Sequence, residues 1–191
     1  TWQLWFKVIA AIIPSGIVGV LFDDWIEAHF HNATVVSIAL IVYGVAFILV
    51  ERRNARRVGG KTVEDVYAID YKTALLIGCF QCLALFPGFS RSAATIMGGM
   101  ILGARRPLAA EYSFIAAVPI MVAATGFDLL KSLHLFTAAD IPFFAVGMIG
   151  SFISALIAVK AFVRLVGHMT LVPFAVYRLL LAPFIWYFMV H

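Results

Sequence analysis

The chain has 191 residues, 63% of them hydrophobic and 13% charged, with a formal net charge of +4 and a mean hydropathy of +1.01. A water-soluble domain is about 45–50% apolar, so this composition excludes an ordinary soluble fold and points to an all-α, polytopic membrane protein. No basic face suited to nucleic acid occurs, and Cys79 and Cys82, although spaced C-x-x-C, lie in an apolar run without a second pair and read as core residues.

Taken in chain order, the pattern predicts five spanning helices and one interrupted segment. The first span runs from about Trp2 to Phe22, with Trp2 and Trp5 as interfacial aromatics and Pro14 and Gly16 as a bend. The second covers about Ala33–Val50, followed by a polar loop to Lys72. The interrupted segment is Thr73–Ala104. The third span is about Pro107–Leu130, with Pro107 in the first turn. The fourth is about Ile141–Leu165 and the fifth about Thr170–Val190. At about 1.5 Å per residue each is long enough for a hydrocarbon core of about 30 Å. The chain starts at Thr1, without Met or a cleavable leader, and is expected to be a piece of a longer protein.

Orientation follows from the basic residues. Arg52, Arg53, Arg56, Arg57 and Lys61 share one loop, Arg105 and Arg106 follow the interrupted segment, and Lys160 and Arg164 close the fourth span. These ends are predicted to be cytoplasmic. The opposite loops, "FDDWIEAHFHN" and "KSLHLFTAAD", carry only Lys131. His29 and His31 in the first of them read as solvated loop residues. Both ends of Thr73–Ala104 then lie on the cytoplasmic side, so the segment must enter and return. Its halves, Thr73–Phe86 and Ser92–Ala104, are too short to span, and Pro87-Gly88 breaks them. The pattern is that of a re-entrant helical hairpin with its tip at mid-membrane.

The tip reads "PGFSRSAAT". Ser90 is placed to cap the returning half-helix, whose N-terminus favours anions, phosphate especially. Arg91 adds a permanently charged fork for phosphate oxygens. Ser92 adds a hydroxyl, and Thr95 shares the helix face of Arg91 and Ser92. An arginine at bilayer depth costs at least about 2.5–3.5 kcal/mol, and all ten acidic residues lie outside Thr73–Ala104, so a bound anion is the expected partner. Arg178 is a second intramembrane arginine; it either binds phosphate or pairs with Asp128 or Glu111. Glu111 is expected to neutralise Arg105 and Arg106, Asp128 to pair with Lys131, and Gly99-x-x-x-Gly103 to let helices pack closely. No carboxylate pair or histidine lies near the tip in sequence, so no metal ligands are assigned within this chain.

The stretch "GCFQCLALFPGFSRSAATIMGGMILG" resembles the second signature of the undecaprenyl-diphosphatase family, UppP, also called BacA or bacitracin-resistance protein. The pattern P-G-x-S-R-S-x-x-T matches Pro87, Gly88, Ser90, Arg91, Ser92 and Thr95, and the likeness continues through "EYSFIAAVPIM", "DLLKS", "DIPFFAVG" and "PFAVYR" over essentially the whole chain. The resemblance implies hydrolysis of undecaprenyl pyrophosphate to undecaprenyl phosphate and inorganic phosphate. That reaction recycles the cell-wall lipid carrier and confers resistance to bacitracin, which sequesters the pyrophosphate form. It implies catalytic roles for Arg91 and Ser90 and substrate-binding roles for Ser92, Thr95, Gly88 and Arg178.

The resemblance also implies an inverted-repeat helical bundle. Residues 1–50 would be the last two helices of repeat one, 51–72 a cytoplasmic loop, and 73–191 repeat two, with the hairpin at 73–104 and three spanning helices. The family's first signature, a hairpin with E-x-x-x-E and S-S-T-G-H, has no counterpart here. A divalent cation, Mg²⁺ or Ca²⁺, is therefore expected to have its ligands outside this chain, and the chain alone is expected to be inactive. The implied location is the bacterial inner membrane, multi-pass, with the cavity open to the periplasmic side. Membrane lipids are the surroundings, and a homodimer is compatible with the pattern. The competing reading is a transporter or flippase of a phosphorylated polyprenyl lipid, since broken helices and inverted repeats also occur there.

Overall fold

The computed structural model describes residues 2–55, 65–132, 134, 136–137 and 140–190. Arg56, Arg57 and Lys61 of the basic loop lie outside them. No strand occurs among the described residues. The helices are α1 (Trp2–Phe30), α2 (Ala33–Ala55), α3 (Tyr71–Gln81), α4 (Arg91–Ile101), α5 (Arg106–Ser132), α6 (Ile141–His168) and α7 (Val172–Val190). Short 3₁₀ turns occupy Val66–Ala68 and Cys82–Leu85. Five helices, α1, α2, α5, α6 and α7, are long and apolar enough to cross a membrane, so the chain is an all-α polytopic membrane protein.

Two helices outrun the expected spans. The apolar stretch of α1 is Trp2–Phe22, yet the helix continues to Phe30. Nothing between Val20 and Phe30 is a glycine or proline that would stop it, and Trp25 stacks on His29 and Phe30 with centroids 5.0 and 5.5 Å apart. Similarly, α2 runs on through "ERRNA", largely good helix formers.

The interrupted segment is a hairpin of two eleven-residue helices, α3 and α4. Asp70 caps α3, its carboxylate accepting from the Thr73 amide at 2.9 Å. Hydrogen bonds from Thr73 hold the Asp70 carboxyl below the usual carboxylate range, so the cap persists at neutral pH and is lost only as pH falls through that lowered value. At the tip, Phe86-Pro87-Gly88-Phe89 closes with the Phe89 amide donating to the Phe86 carbonyl at 3.2 Å. Pro at the second position and Gly88 at φ +90° in the third are the type II pattern. Gly88 is also pressed on α2: a Cβ there would lie 2.9 Å from the Val36 carbonyl oxygen. At its other end α4 closes with Gly103 at φ +102°. The Gly103 amide donates to Met100 O at 3.2 Å and the Ala104 amide to Gly99 O at 2.9 Å, the Schellman arrangement. Gly103 is thus a helix stop, not half of a packing stripe; Gly99 alone faces α5, at Ala109.

Both ends of the hairpin sit at one end of the bundle. Lys7, near the start of α1, donates to Tyr67 O at 2.8 Å just before α3, and Tyr112 of α5 donates to Lys7 O at 3.3 Å. Arg106, just after the hairpin, meets Glu51 near the end of α2. The segment enters and returns as expected. Gln81 near the turn donates to Ser15 Oγ of α1 at 2.6 Å, tying the hairpin to its flank.

Glu51 fixes that same end. It is buried and takes a forked pair from Arg106, Nε to Oε1 at 2.7 Å and Nη2 to Oε2 at 2.8 Å. Its Oε1 also accepts from the Leu171 amide at 2.9 Å, while Arg106 Nη1 reaches Met169 O at 2.9 Å. One carboxylate therefore joins α2, α5 and the α6–α7 turn. Arg106 was expected to be neutralised by Glu111, within a turn or two along its own helix. Glu111 faces outward on α5, whereas Glu51 offers a buried carboxylate aligned with the guanidinium plane.

Glu51→Ala would leave Arg106 without its carboxylate. We expect a loss of about 3 kcal/mol, the low end for a broken buried pair because Arg106 is 21% exposed. The measurement is the unfolding midpoint in detergent, and an unchanged midpoint would contradict the assignment of Glu51 as the tie between these helices.

Candidate functional site

Ser90 caps α4, its hydroxyl oxygen accepting from the Ala93 amide at 3.4 Å. The cap uses an acceptor lone pair of that oxygen and leaves its proton available to a ligand. The first turn of a helix leaves amide donors without helical partners, so the tip offers N–H groups beside Ser90 and Ser92. These two serines and Arg178 of α7 line one cavity of about 230 Å³. The remaining wall is apolar and includes Phe47, Phe114, Phe162 and Phe174.

The electrostatics of this region are unusual. Arg91 Nη1, Arg178 Nη1 and Tyr43 Oη are all buried, and none has a hydrogen-bond partner among the described residues. Arg178 does not pair with Asp128 or Glu111. Its Cζ lies 5.4 Å from the centre of the Tyr43 ring, a cation–π contact, and that ring in turn meets Phe89 of the hairpin tip at 5.1 Å. Lys131, expected to pair with Asp128, lies over Phe127 at 4.8 Å. Tyr43 is eight residues before Glu51 on α2, about 12 Å from that end of the bundle. The two arginines thus lie well inside the length of the bundle, each with a buried donor unfilled among the described residues.

The structure brings Ser90, Ser92 and Arg178 to the cavity wall and sets Arg91 at the start of the same helix. It does not bring Thr95 or Gly88 there. Thr95 is buried toward α5, its hydroxyl within 2.6 Å of Ser113 Oγ and 3.0 Å of Ser92 O. Gly88 faces α2. Both hold the frame of the tip. Tyr43 escapes a reading by sequence, since an aromatic within "ALIVYGVAF" looks like any other lipid-facing or core residue. Only the α2–α7 packing puts Arg178 over its ring.

A divalent cation does not fit this cavity. Its polar wall is two hydroxyls and a guanidinium, and no group of three or more His, Cys, Asp or Glu that could hold a metal occurs among the described residues. Hard cations take oxygen ligands, carboxylates above all. The same donor set suits a phosphate.

A model of the family described as bacitracin resistance protein BacA matches residues 1–184. The chain is 64% identical over 179 residues to the undecaprenyl-diphosphatase of Desulfovibrio desulfuricans, covering 94% of this chain and 66% of that protein. The undecaprenyl-diphosphatase of Nitratidesulfovibrio vulgaris is 58% identical with the same coverage. That of Maridesulfovibrio salexigens is 55% identical over 92% of this chain and 65% of its own length. The chain spans slightly less than two thirds of the length of these relatives.

Tyr43→Phe removes a buried hydroxyl without a partner and keeps the ring under Arg178. We expect the ligand-free protein to be as stable as the parent or more so, by up to about 1 kcal/mol. Tyr43→Leu, which removes the ring, should destabilise by about 2 kcal/mol through the lost cation–π and ring contacts. Thermal unfolding of both variants checks this, and equal losses would show that the hydroxyl is satisfied after all.

Proposed function

The chain belongs to the bacitracin resistance protein BacA family, and we propose that it supplies a pyrophosphate-binding site for hydrolysis of undecaprenyl pyrophosphate. The products are undecaprenyl phosphate and inorganic phosphate. The observation that carries this reading is the pair of buried, unpartnered arginine donors beside a helix N-terminus at bilayer depth. Such donors are costly without an anion. A phosphorylated lipid brings that anion to this depth while its tail stays in the bilayer. Hydrolysis of the same lipid pyrophosphate also accounts for bacitracin resistance in the family's name, since the antibiotic acts on that form.

In this reading water adds to the terminal phosphorus, its bond to the bridging oxygen breaks, and the lipid phosphate leaves. Arg91 and Arg178 neutralise the charge that accumulates on the non-bridging oxygens during that transfer. The free proton of the Ser90 hydroxyl and that of Ser92 donate to phosphate oxygens and fix their orientation. The Tyr43 ring holds the Arg178 guanidinium in place. Thr95 and Gly88 act on the substrate only through the shape of the tip.

The hairpin α3–α4 with α5, α6 and α7, preceded by two spanning helices, supports the division into residues 1–50 from one repeat and 73–191 as the next. The clustering of Lys7, Arg52, Arg53, Arg106 and Arg164 near the end where the hairpin enters supports a cytoplasmic placement of that end in a bacterial inner membrane. The tip then points toward the periplasm.

Arg91→Ala in the full-length protein should reduce phosphate release from a polyprenyl pyrophosphate at least a hundredfold with the folded yield retained. Arg91→Lys should recover little, because an ammonium cannot make the forked contact. A phosphate-release assay in detergent measures both, and near-normal turnover of the lysine variant would refute the forked geometry. Tight binding of the lipid with no phosphate release by the parent would favour a transporter or flippase instead.

A further inference from the structure

We propose that the aromatic part of the same cavity binds the first isoprene unit of the lipid tail, and that Phe162 and Phe174 flank the doorway through which the rest of the chain leaves into the bilayer. This rests on the pyrophosphate reading above and adds where the tail goes.

The cavity is polar at one end and aromatic at the other. Helix α4 descends from the tip, so Ile96 lies one turn below Ser92; α7 ascends, so Phe174 lies one turn below Arg178. The polar and apolar walls are therefore offset by about 6 Å along the bundle axis, with the head site above and the aromatic site below and to the side. The lower wall is a chain of rings, Phe114 to Phe162 at 5.6 Å and Phe162 to Phe174 at 5.8 Å. A ligand that fills both ends must be an anion attached directly to an apolar group.

Size and access narrow this further. About 230 Å³ is roughly eight water volumes, enough for the phosphate and the carbons next to it and far too small for a long polyprenyl chain. The remainder must pass out sideways. Helix α6 packs on α5, α7 packs on α2, and the Phe162–Phe174 ring contact bridges α6 and α7. Phe174 lines the cavity and is still 42% exposed, so the wall there is one ring thick. Near that wall Leu165 of α6 and Tyr177 of α7 are also exposed.

The experiment compares two ligands that share a head: farnesyl diphosphate, with a prenyl tail, and inorganic pyrophosphate, without one. Binding to the full-length protein in detergent is measured for Phe162→Ala, for Phe174→Ala, and for the milder Phe162→Leu in case the alanine variant folds poorly. We expect farnesyl diphosphate to bind about tenfold more weakly to each alanine variant, and inorganic pyrophosphate to change less than twofold. Phe152→Ala, on the lipid face of α6, should alter neither. Equal weakening of both ligands would mean the rings merely support the arginines, and no weakening would mean the tail lies elsewhere; either overturns the proposal. A parent that binds inorganic pyrophosphate and not farnesyl diphosphate also overturns it. Tail-dependent binding without phosphate release would sink the hydrolytic reading and leave the tail site standing.

Discussion

A helix broken at bilayer depth exposes backbone donors and acceptors where no water can serve them, and this constraint organises the rest of the chain. Irregular backbone is tolerated there only behind protein or beside a polar cavity. Here the turn Phe86–Phe89 satisfies one pair of its own groups, Ser90 caps the next helix, and α2 closes against Gly88. A run of rings, Phe30 to Phe86, Phe86 to Phe89, Phe89 to Tyr43, packs along one side of the tip. The start of α4, where a helix leaves backbone donors over, lines the cavity through Ser90, Ser92 and Ala93.

The arginines show how differently one residue type is treated at two depths. At the basic end of the bundle Arg106 has both faces of its fork on Glu51 and a third bond to Met169 O. It acts as a structural tie whose charge is matched. At the level of the tip, Arg91 and Arg178 are half-buried, and each has a buried Nη1 with no hydrogen-bond partner among the described residues. A protein that needed these charges only for packing would match them as it matches Arg106, because an uncompensated buried charge is strongly destabilising. The contrast within one molecule, more than the presence of either arginine, marks the tip as a place for an anion. The aromatic wall below it then makes that anion the head of something apolar.

Much of this was legible in the chain because it is local. Spans announce themselves by length and apolarity, the hairpin by Pro87-Gly88 between two short apolar runs, and the cap by Ser90 ahead of a helical stretch. The charge pattern also anticipated that both ends of the hairpin share one side. What went unread depends on partners far away in sequence. Thr95 has the spacing of a site residue, yet its hydroxyl is turned to Ser113 by the α4–α5 packing. Glu51 looks like the start of a solvated charge run, yet it is buried and meets Arg106, 55 residues on. The nearer carboxylate, Glu111, loses that partner because it points outward on α5.

The sequence by itself therefore determined the class of molecule, the positions of its helices, and the chemistry available at the tip, since composition, periodicity and caps act within a few residues. Only the tertiary structure decided which polar groups are satisfied. The packing of α2 on α7 set Tyr43 under Arg178, and the contact of Phe162 on α6 with Phe174 on α7 gave the cavity part of its aromatic wall. Hydrogen bonds and ring contacts reach only a few ångströms, so whether a buried donor is spent or free depends on which distant segment the fold places beside it.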